Sequence, residues 1–131
     1  MRQTYFAYAA GAAADGRRTR VSPAVFYYDR SLGAFVEFMR SRQRVMRAAT
    51  TAAVAHHAWE GTVSFVLTGE AASDHGVRPR APFDPAGGHW GALQVLGRYA
   101  NLDVDDVVFA RGLAGPGAAS AARSMTLAVN W

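Results

Sequence analysis

The stretch WEGTVSFVLT, residues 59–68, decides the fold class of this chain. Its odd positions carry Trp59, Val63, Phe65 and Leu67, whereas its even positions are mostly polar. Successive side chains of a β-strand point to opposite faces of the sheet. The alternation therefore predicts a strand with one apolar face and one polar face.

The same period of two recurs along the chain and predicts further strands at residues 21–29, 34–43, 93–99 and 124–131, with a sixth at 4–9. Residues 30–33 have the composition of a turn. Loops rich in Gly, Ala, Pro and Asp are predicted at 11–19, 48–55, 69–88 and 104–119. The alanine-rich stretch 41–58 leaves a helix as an alternative. The predicted fold class is all-β, an antiparallel meander of about six strands.

Composition excludes several classes of protein. The chain has 131 residues, the length of one domain. Half of its residues (50%) are apolar, so the chain is too hydrophobic to be disordered. Cysteine is absent, which excludes disulfides, cysteine-ligated metals and a thiol nucleophile. All 14 basic residues are arginine, and the net charge is +4. Arginine favours partners that accept two parallel hydrogen bonds, such as phosphate and carboxylate. A net charge of +4 is modest for a nucleic-acid-binding protein, so no nucleic acid is expected to bind.

Candidate catalytic and metal sites are weak. On a strand, His56 and Glu60 share a face but lie roughly 13 Å apart, too far to hold one ion. Asp103, Asp105 and Asp106 lack the spacing of a calcium loop. The glycine-rich segment 112–117 is not followed by the Lys-Ser/Thr pair of a phosphate-binding loop. We therefore predict no metal, no cofactor and no enzymatic activity.

Two environments fit an alternating meander. A soluble ligand-binding barrel or sandwich buries its apolar face, whereas a transmembrane barrel turns that face to lipid and lines its lumen with polar residues. Periodicity alone does not separate them. Aromatic residues near predicted strand ends, such as Trp59, Trp90 and Trp131, are typical of the interfacial girdles of transmembrane barrels.

Three segments together resemble the phosphate-selective porin O and P family of outer-membrane channels. The first runs from Arg17-Arg18-Thr19-Arg20 through Pro23 and an aromatic run to Phe38. The second joins Phe65-Val66-Leu67-Thr68-Gly69-Glu70 to the segment 79–85, Pro-Arg-Ala-Pro-Phe-Asp-Pro. The third extends from Trp90-Gly91 to Asp105 and ends with Val129-Asn130-Trp131. The resemblance covers residues 17–131.

The resemblance implies a trimeric, water-filled barrel of about sixteen strands in an outer membrane of the Gram-negative type. It implies passive diffusion of phosphate or related small anions, with outer-membrane lipid around the barrel. Because family members are longer, residues 1–131 are interpreted as a single incomplete barrel segment. Outer-membrane barrels have short periplasmic turns and long outer loops. By that rule the turn at 30–33 is periplasmic, the loops 48–55 and 104–119 lie outside, and 69–88 falls on the periplasmic side.

The predicted pore-lining residues are the polar ones opposite the apolar strand face. Glu60, Gln94 and Arg98 project into one space if the even positions face water, and Arg18 and Arg20 join them from the strand leading into Val21. Arginines lining a channel select anions. The complete predicted set is Arg18, Arg20, Glu37, Glu60, Thr62, Ser64, Gln94, Arg98, Ser124, Thr126 and Asn130.

Overall fold

The computed structural model of the protein describes residues 4–131, most of which belong to one antiparallel sheet of seven strands. The elements in chain order are β1 (Ala13–Ala14), β2 (Thr19–Val21), β3 (Ala24–Asp29), β4 (Leu32–Arg47), β5 (Thr50–Val66), β6 (Gln94–Asp103), α1 (Val107–Ala110) and β7 (Ala121–Asn130). The strand order is β1-β4-β5-β6-β7, and β2 and β3 also pair with β4. The all-β class and the antiparallel meander are confirmed.

The hairpin of β4 and β5 shows that the predicted loop at 48–55 and the helical alternative for 41–58 were wrong. β4 ends at Arg47 and β5 begins at Thr50, so Ala48 and Ala49 form the turn. Ala48 has a φ of 50°, a left-handed conformation that tight hairpin turns commonly place on Asn or Gly. Alanine is not a turn signal, and arginines alternate with Ser41 and Gln43, so polar residues on both faces conceal the period of two.

The turn predicted at residues 30–33 is tighter than expected. Asp29 pairs with Leu32, so the turn consists of Arg30, with a φ of 49°, and Ser31. The longest connection, residues 67–93, begins beside this same turn, because the Val66 amide donates to the Ser31 carbonyl at 2.9 Å. Two-residue turns thus close both ends of β4. Loop length therefore gives no basis for placing the turn at 30–33 on the periplasmic side.

The strand predicted at 21–29 is divided into β2 and β3 by Ser22 and Pro23. Proline has no amide proton to donate to a neighbouring strand, so it is excluded from the interior of a regular ladder. Both halves still pair with β4, with Val21 opposite Arg40 and Ala24 opposite Glu37. The carbonyl of Pro23 accepts from the amide of Phe38 at 3.0 Å and keeps the register across the break.

The connections also depart from the prediction in part. The strand predicted at 4–9 is wrong, since its pairing is limited to a single bridge between Tyr8 and Ala114. The predicted loop 11–19 contains β1, and the predicted loop 104–119 contains α1. Within residues 4–131, no helix has the length and apolar character that crossing a bilayer demands.

The chain divides into two compact units, the first made of Met1–Pro23, Phe38–Trp59 and Asn101–Arg123. Its core is small and consists of Val45, Val54, Val104, Val108 and Leu113. These side chains come from two strands, α1 and the loop segments beside it, so burial of their apolar surface fixes α1 against the strands. The Arg47 guanidinium donates to the carbonyls of Ala10 at 3.1 Å and Gly112 at 2.7 Å and ties both segments to the end of β4.

The second unit is made of Ala24–Glu37, Glu60–Ala100 and Ser124–Trp131. Val66 at the end of β5 is fully buried, but many large apolar side chains of this unit are exposed. They include odd positions of β5 and β7, which the sequence pattern assigned to an apolar face, and also the four consecutive β3 residues 25–28. The unit therefore presents an apolar sheet surface rather than covering it.

Candidate functional site: the polar side of the sheet and the arginines of the first unit

Two side-chain pairs define the polar side of the sheet in the second unit. The Arg98 guanidinium forms an ion pair with the Glu60 carboxylate, linking β6 to β5. The Asn130 amide donates to the Gln94 side-chain oxygen at 3.0 Å, linking β7 to β6. Side chains on neighbouring strands meet only when they lie on the same face of the sheet. The sequence pattern placed these four residues on one side, and the structure brings them together there as two pairs.

The opposite side of β5 and β7 is apolar and open, whereas Val95 and Tyr99 on that side of β6 are half-buried. Val63 and Phe65 on β5 are 57% and 47% exposed, whereas Thr62 and Ser64, each just before one of them, are half-buried. On β7 the exposure is greater still, with Leu127 at 86%. On β5 this distribution is the reverse of that in a soluble sheet, in which the apolar face is the covered one.

The remaining predicted residues of the second unit occupy the strand interior and the edge. Ser64 lies against the backbone of Gly33, where an added Cβ would be 2.7 Å from the Ser64 hydroxyl. Glu37 lies on β4 and is engaged in an interaction. Ser124 and Thr126 are exposed on β7.

Arg18 and Arg20 belong to the first unit, where they line a cavity of about 500 Å³. The Arg18 guanidinium donates to the Ser41 hydroxyl at 3.1 Å, and Arg20 lies opposite Ser41 in the register of β2 and β4. Both arginines are exposed. The cavity wall also includes His56, Leu102 and the segment 4–6.

The ion pair changes the electrostatic role assigned to Arg98. Glu60 and Arg98 were predicted to project into the same space, and the structure pairs them, so that each charge neutralises the other. Apart from Glu60 and Arg98, the charged member of the predicted set in the second unit is Glu37. Arg18 and Arg20 are the members of the predicted set whose positive charge is not paired with a carboxylate within residues 4–131.

His56 anchors the first unit rather than serving as a ligand. The Asp105 amide donates to His56 Nδ1 at 3.2 Å, so Nε2 carries the ring proton and donates to the Tyr8 hydroxyl at 2.9 Å. Asp105 in turn accepts from the amides of Ala55 at 2.7 Å and Val107 at 3.0 Å. Sequence spacing could not reveal this network, because its members are some 50 positions apart. Among residues 4–131 no group of three or more His, Cys, Asp or Glu side chains is placed to hold a metal.

A second network closes the base of the long connection in the second unit. The Thr68 hydroxyl donates to the Glu70 carboxylate and accepts from the Leu93 amide at 3.0 Å. The Arg80 guanidinium donates to the Gly69 carbonyl at 2.8 Å. The hydrogen bond from Thr68 lowers the pKa of the Glu70 carboxyl, and the charge of Arg80 acts in the same direction.

Replacing Thr68 tests this network. Thr68→Val has a similar shape but leaves the Leu93 amide without its acceptor, so we expect it to lower the free energy of unfolding by about 1–3 kcal/mol. Thr68→Ser retains the hydroxyl and is the matched control, with a smaller loss. Urea titration of the folded protein measures both. Equal losses for Val and Ser would contradict the assigned role of the hydroxyl.

The pH dependence of the same titration provides an independent readout. The pKa of Glu70 in the folded protein is lowered from its ordinary value of 4.5. The ionised carboxylate therefore contributes to folding stability above pH 4.5, and this contribution is lost as the pH falls through the folded pKa. Part of the acid sensitivity should therefore disappear in Thr68→Val. An unchanged acid profile in that variant would show that the hydroxyl does not stabilise the carboxylate.

Comparison with protein-family models, curated proteins and solved structures finds no match for the chain.

Proposed function

We propose that the chain is a segment of an outer-membrane β-barrel through which small anions diffuse passively, phosphate and related oxyanions among them. The observation that carries the proposal is the exposed apolar side of β5 and β7 in the second unit, opposite a side of paired polar residues. There Phe65 and Leu127 are exposed while Glu60, Gln94, Arg98 and Asn130 pair with one another. Lipid covers such an apolar face, and water fills the space beside the polar one. The resemblance to the porin O and P family supports a homotrimer of complete barrels.

Strand length supports the same proposal. β6 and β7 have 10 residues each, and about 9–11 residues suffice for a tilted strand to cross a bilayer. Soluble monomers rarely expose a contiguous apolar patch larger than a few hundred Å². The exposed apolar side chains of the second unit include Val25, Tyr27, Val36, Val63, Phe65, Leu67, Met125, Leu127 and Val129.

Anion preference is supported by Arg18 and Arg20. Arginine stays protonated at every physiological pH, so these two charges persist under all conditions in which a channel works. A positive charge about 4 Å from an ion in water changes its energy by about 1 kcal/mol, which is about fivefold in occupancy. The proposed activity involves no bond making and no cofactor.

Ion selectivity of the full-length channel tests the proposal. In a planar bilayer with a KCl gradient, we expect a zero-current potential of the anion-selective sign. Arg18→Glu with Arg20→Glu should shift it toward cations, most clearly in dilute salt, because screening shortens the range of both charges at high salt.

A matched control is the double variant Glu60→Gln with Arg98→Gln, which removes the ion pair without changing the net charge. Its zero-current potential should stay close to that of the wild type. A potential unmoved by the Arg18 and Arg20 changes would contradict the selectivity assignment. A soluble, monomeric protein without channel activity would contradict the barrel and favour a soluble ligand-binding sheet.

A further inference from the structure

Three arginines form a row on one side of β4 in the first unit. Arg40, Arg42 and Arg44 are exposed and alternate with half-buried Ser41 and Gln43. Alternate residues of a strand point the same way and lie about 6.6 Å apart. Within residues 4–131, none of the three guanidinium groups makes a side-chain hydrogen bond or ion pair. Three adjacent positive charges without a counterion repel one another unless a ligand neutralises them.

The row borders a groove of about 320 Å³ between β4 and the segment that precedes β2. Arg17, Arg42 and Arg44 line this groove, and Asp15 is the carboxylate among its lining residues. Three guanidinium groups against one carboxylate leave an excess of positive charge. Guanidinium groups bind phosphate oxygens through two parallel hydrogen bonds, so the groove has the chemistry of a phosphate site.

Apolar and aromatic side chains continue the same side of β4. Phe38, two residues before Arg40, is 42% exposed, and Val21, opposite Arg40, is 56% exposed. The Phe38 ring lies 6.1 Å from the ring of His57, which shares a face of β5 with Trp59, itself 43% exposed. Along the strand, aromatic side chains are thus followed by arginines. This order fits the interface of a lipid bilayer, where aromatic rings lie at headgroup level and cations lie at the phosphates.

The length of β4 provides the room for this arrangement. β4 has 16 residues, whereas about 9–11 suffice to cross a bilayer, so several residues extend past the hydrocarbon. Arg42 and Arg44 belong to the end of β4 nearest the Ala48-Ala49 turn. In the proposed barrel, with the Phe38 and Trp59 rings at headgroup level, this end of β4 is the one that extends past the hydrocarbon.

We propose that Arg17, Arg40, Arg42 and Arg44 form a docking surface for the phosphorylated headgroup of a membrane lipid, on the lipid-facing side of the barrel. This inference depends on the proposed function, because it needs the apolar side of the sheet to face lipid. The flanking Phe38, Trp59 and Val21 distinguish a lipid from a nucleic acid, whose phosphates would leave these apolar side chains in water.

Binding to vesicles tests the surface. The full chain is diluted from urea into vesicles of phosphatidylcholine alone or of phosphatidylcholine with a minority of phosphatidic acid, and bound protein is measured by flotation. We expect tighter binding to the phosphatidic acid vesicles. Arg42→Gln with Arg44→Gln should weaken that binding about 25-fold, or about fivefold per arginine, and should leave binding to phosphatidylcholine unchanged.

The matched control is Arg78→Gln with Arg111→Gln, which removes the same charge from two exposed positions outside the row and should have a much smaller effect. Equal binding of the wild type to both vesicles, or equal losses for the two double variants, would overturn the docking surface alone. Failure of the wild type to bind phosphatidylcholine vesicles would overturn the proposed function as well.

Two further arms identify the source of the phosphate. Inorganic phosphate at matched ionic strength should displace the protein from phosphatidic acid vesicles only weakly. Complete displacement would identify free phosphate as the ligand and overturn the lipid assignment. A short DNA duplex that binds more tightly than the vesicles, with the same dependence on Arg42 and Arg44, would overturn it in favour of a nucleic acid.

Discussion

Phe65→Arg is expected to lower the free energy of unfolding of the full-length protein in phosphatidylcholine vesicles by about 2–4 kcal/mol. Phe65 lies within the exposed apolar side of β5, so the substitution moves a guanidinium group into hydrocarbon. Urea titration monitored by tryptophan fluorescence measures the loss, since tryptophans lie at residues 59, 90 and 131.

Ser64→Arg is the control from the neighbouring position. Ser64 points to the polar side of the strand beside Gly33, so its replacement introduces the same charge on the water-facing side. Its loss should be much smaller. Equal losses for the two variants would contradict the assignment of the two faces and, with it, the lipid-facing surface of the second unit.

Leu113→Ala is expected to destabilise the folded protein by about 2–5 kcal/mol. Leu113 is fully buried in a core of five residues, so the truncation leaves a cavity that few neighbours can fill. The same urea titration measures the effect. The first unit should respond strongly, because this small cluster holds α1 and the adjoining loop against β4 and β5.

Val107→Ala is the control for this core. Val107 lies on α1 beside fully buried Val108 but is itself 37% exposed, so its truncation should cost less than about 1 kcal/mol. Comparable losses at Leu113 and Val107 would show that burial does not decide the stability of this unit.

Local alternation was sufficient to predict the sheet where the two faces differ in polarity. Residues 59–68 alternate apolar with polar, and β5 follows that pattern to Val66. Residues 40–44 alternate arginine with Ser41 and Gln43, so their polarity did not carry the predicted strand beyond residue 43. The turn at Ala48-Ala49 escaped detection for a related reason, since its geometry is imposed by the pairing of two long strands and not by a turn-forming residue.

The amino-acid sequence by itself determined the strands with amphipathic alternation and the common face of Glu60, Gln94, Arg98 and Asn130. These follow from interactions between near neighbours and from the two-residue period of a strand. Only the tertiary structure decided that Arg98 is neutralised by Glu60, 38 positions away, that His56 binds Asp105, and that Arg42 and Arg44 meet Arg17 in one groove. Strand pairing brings distant residues together, and the register that sets each partner depends on the whole sheet and not on any one segment.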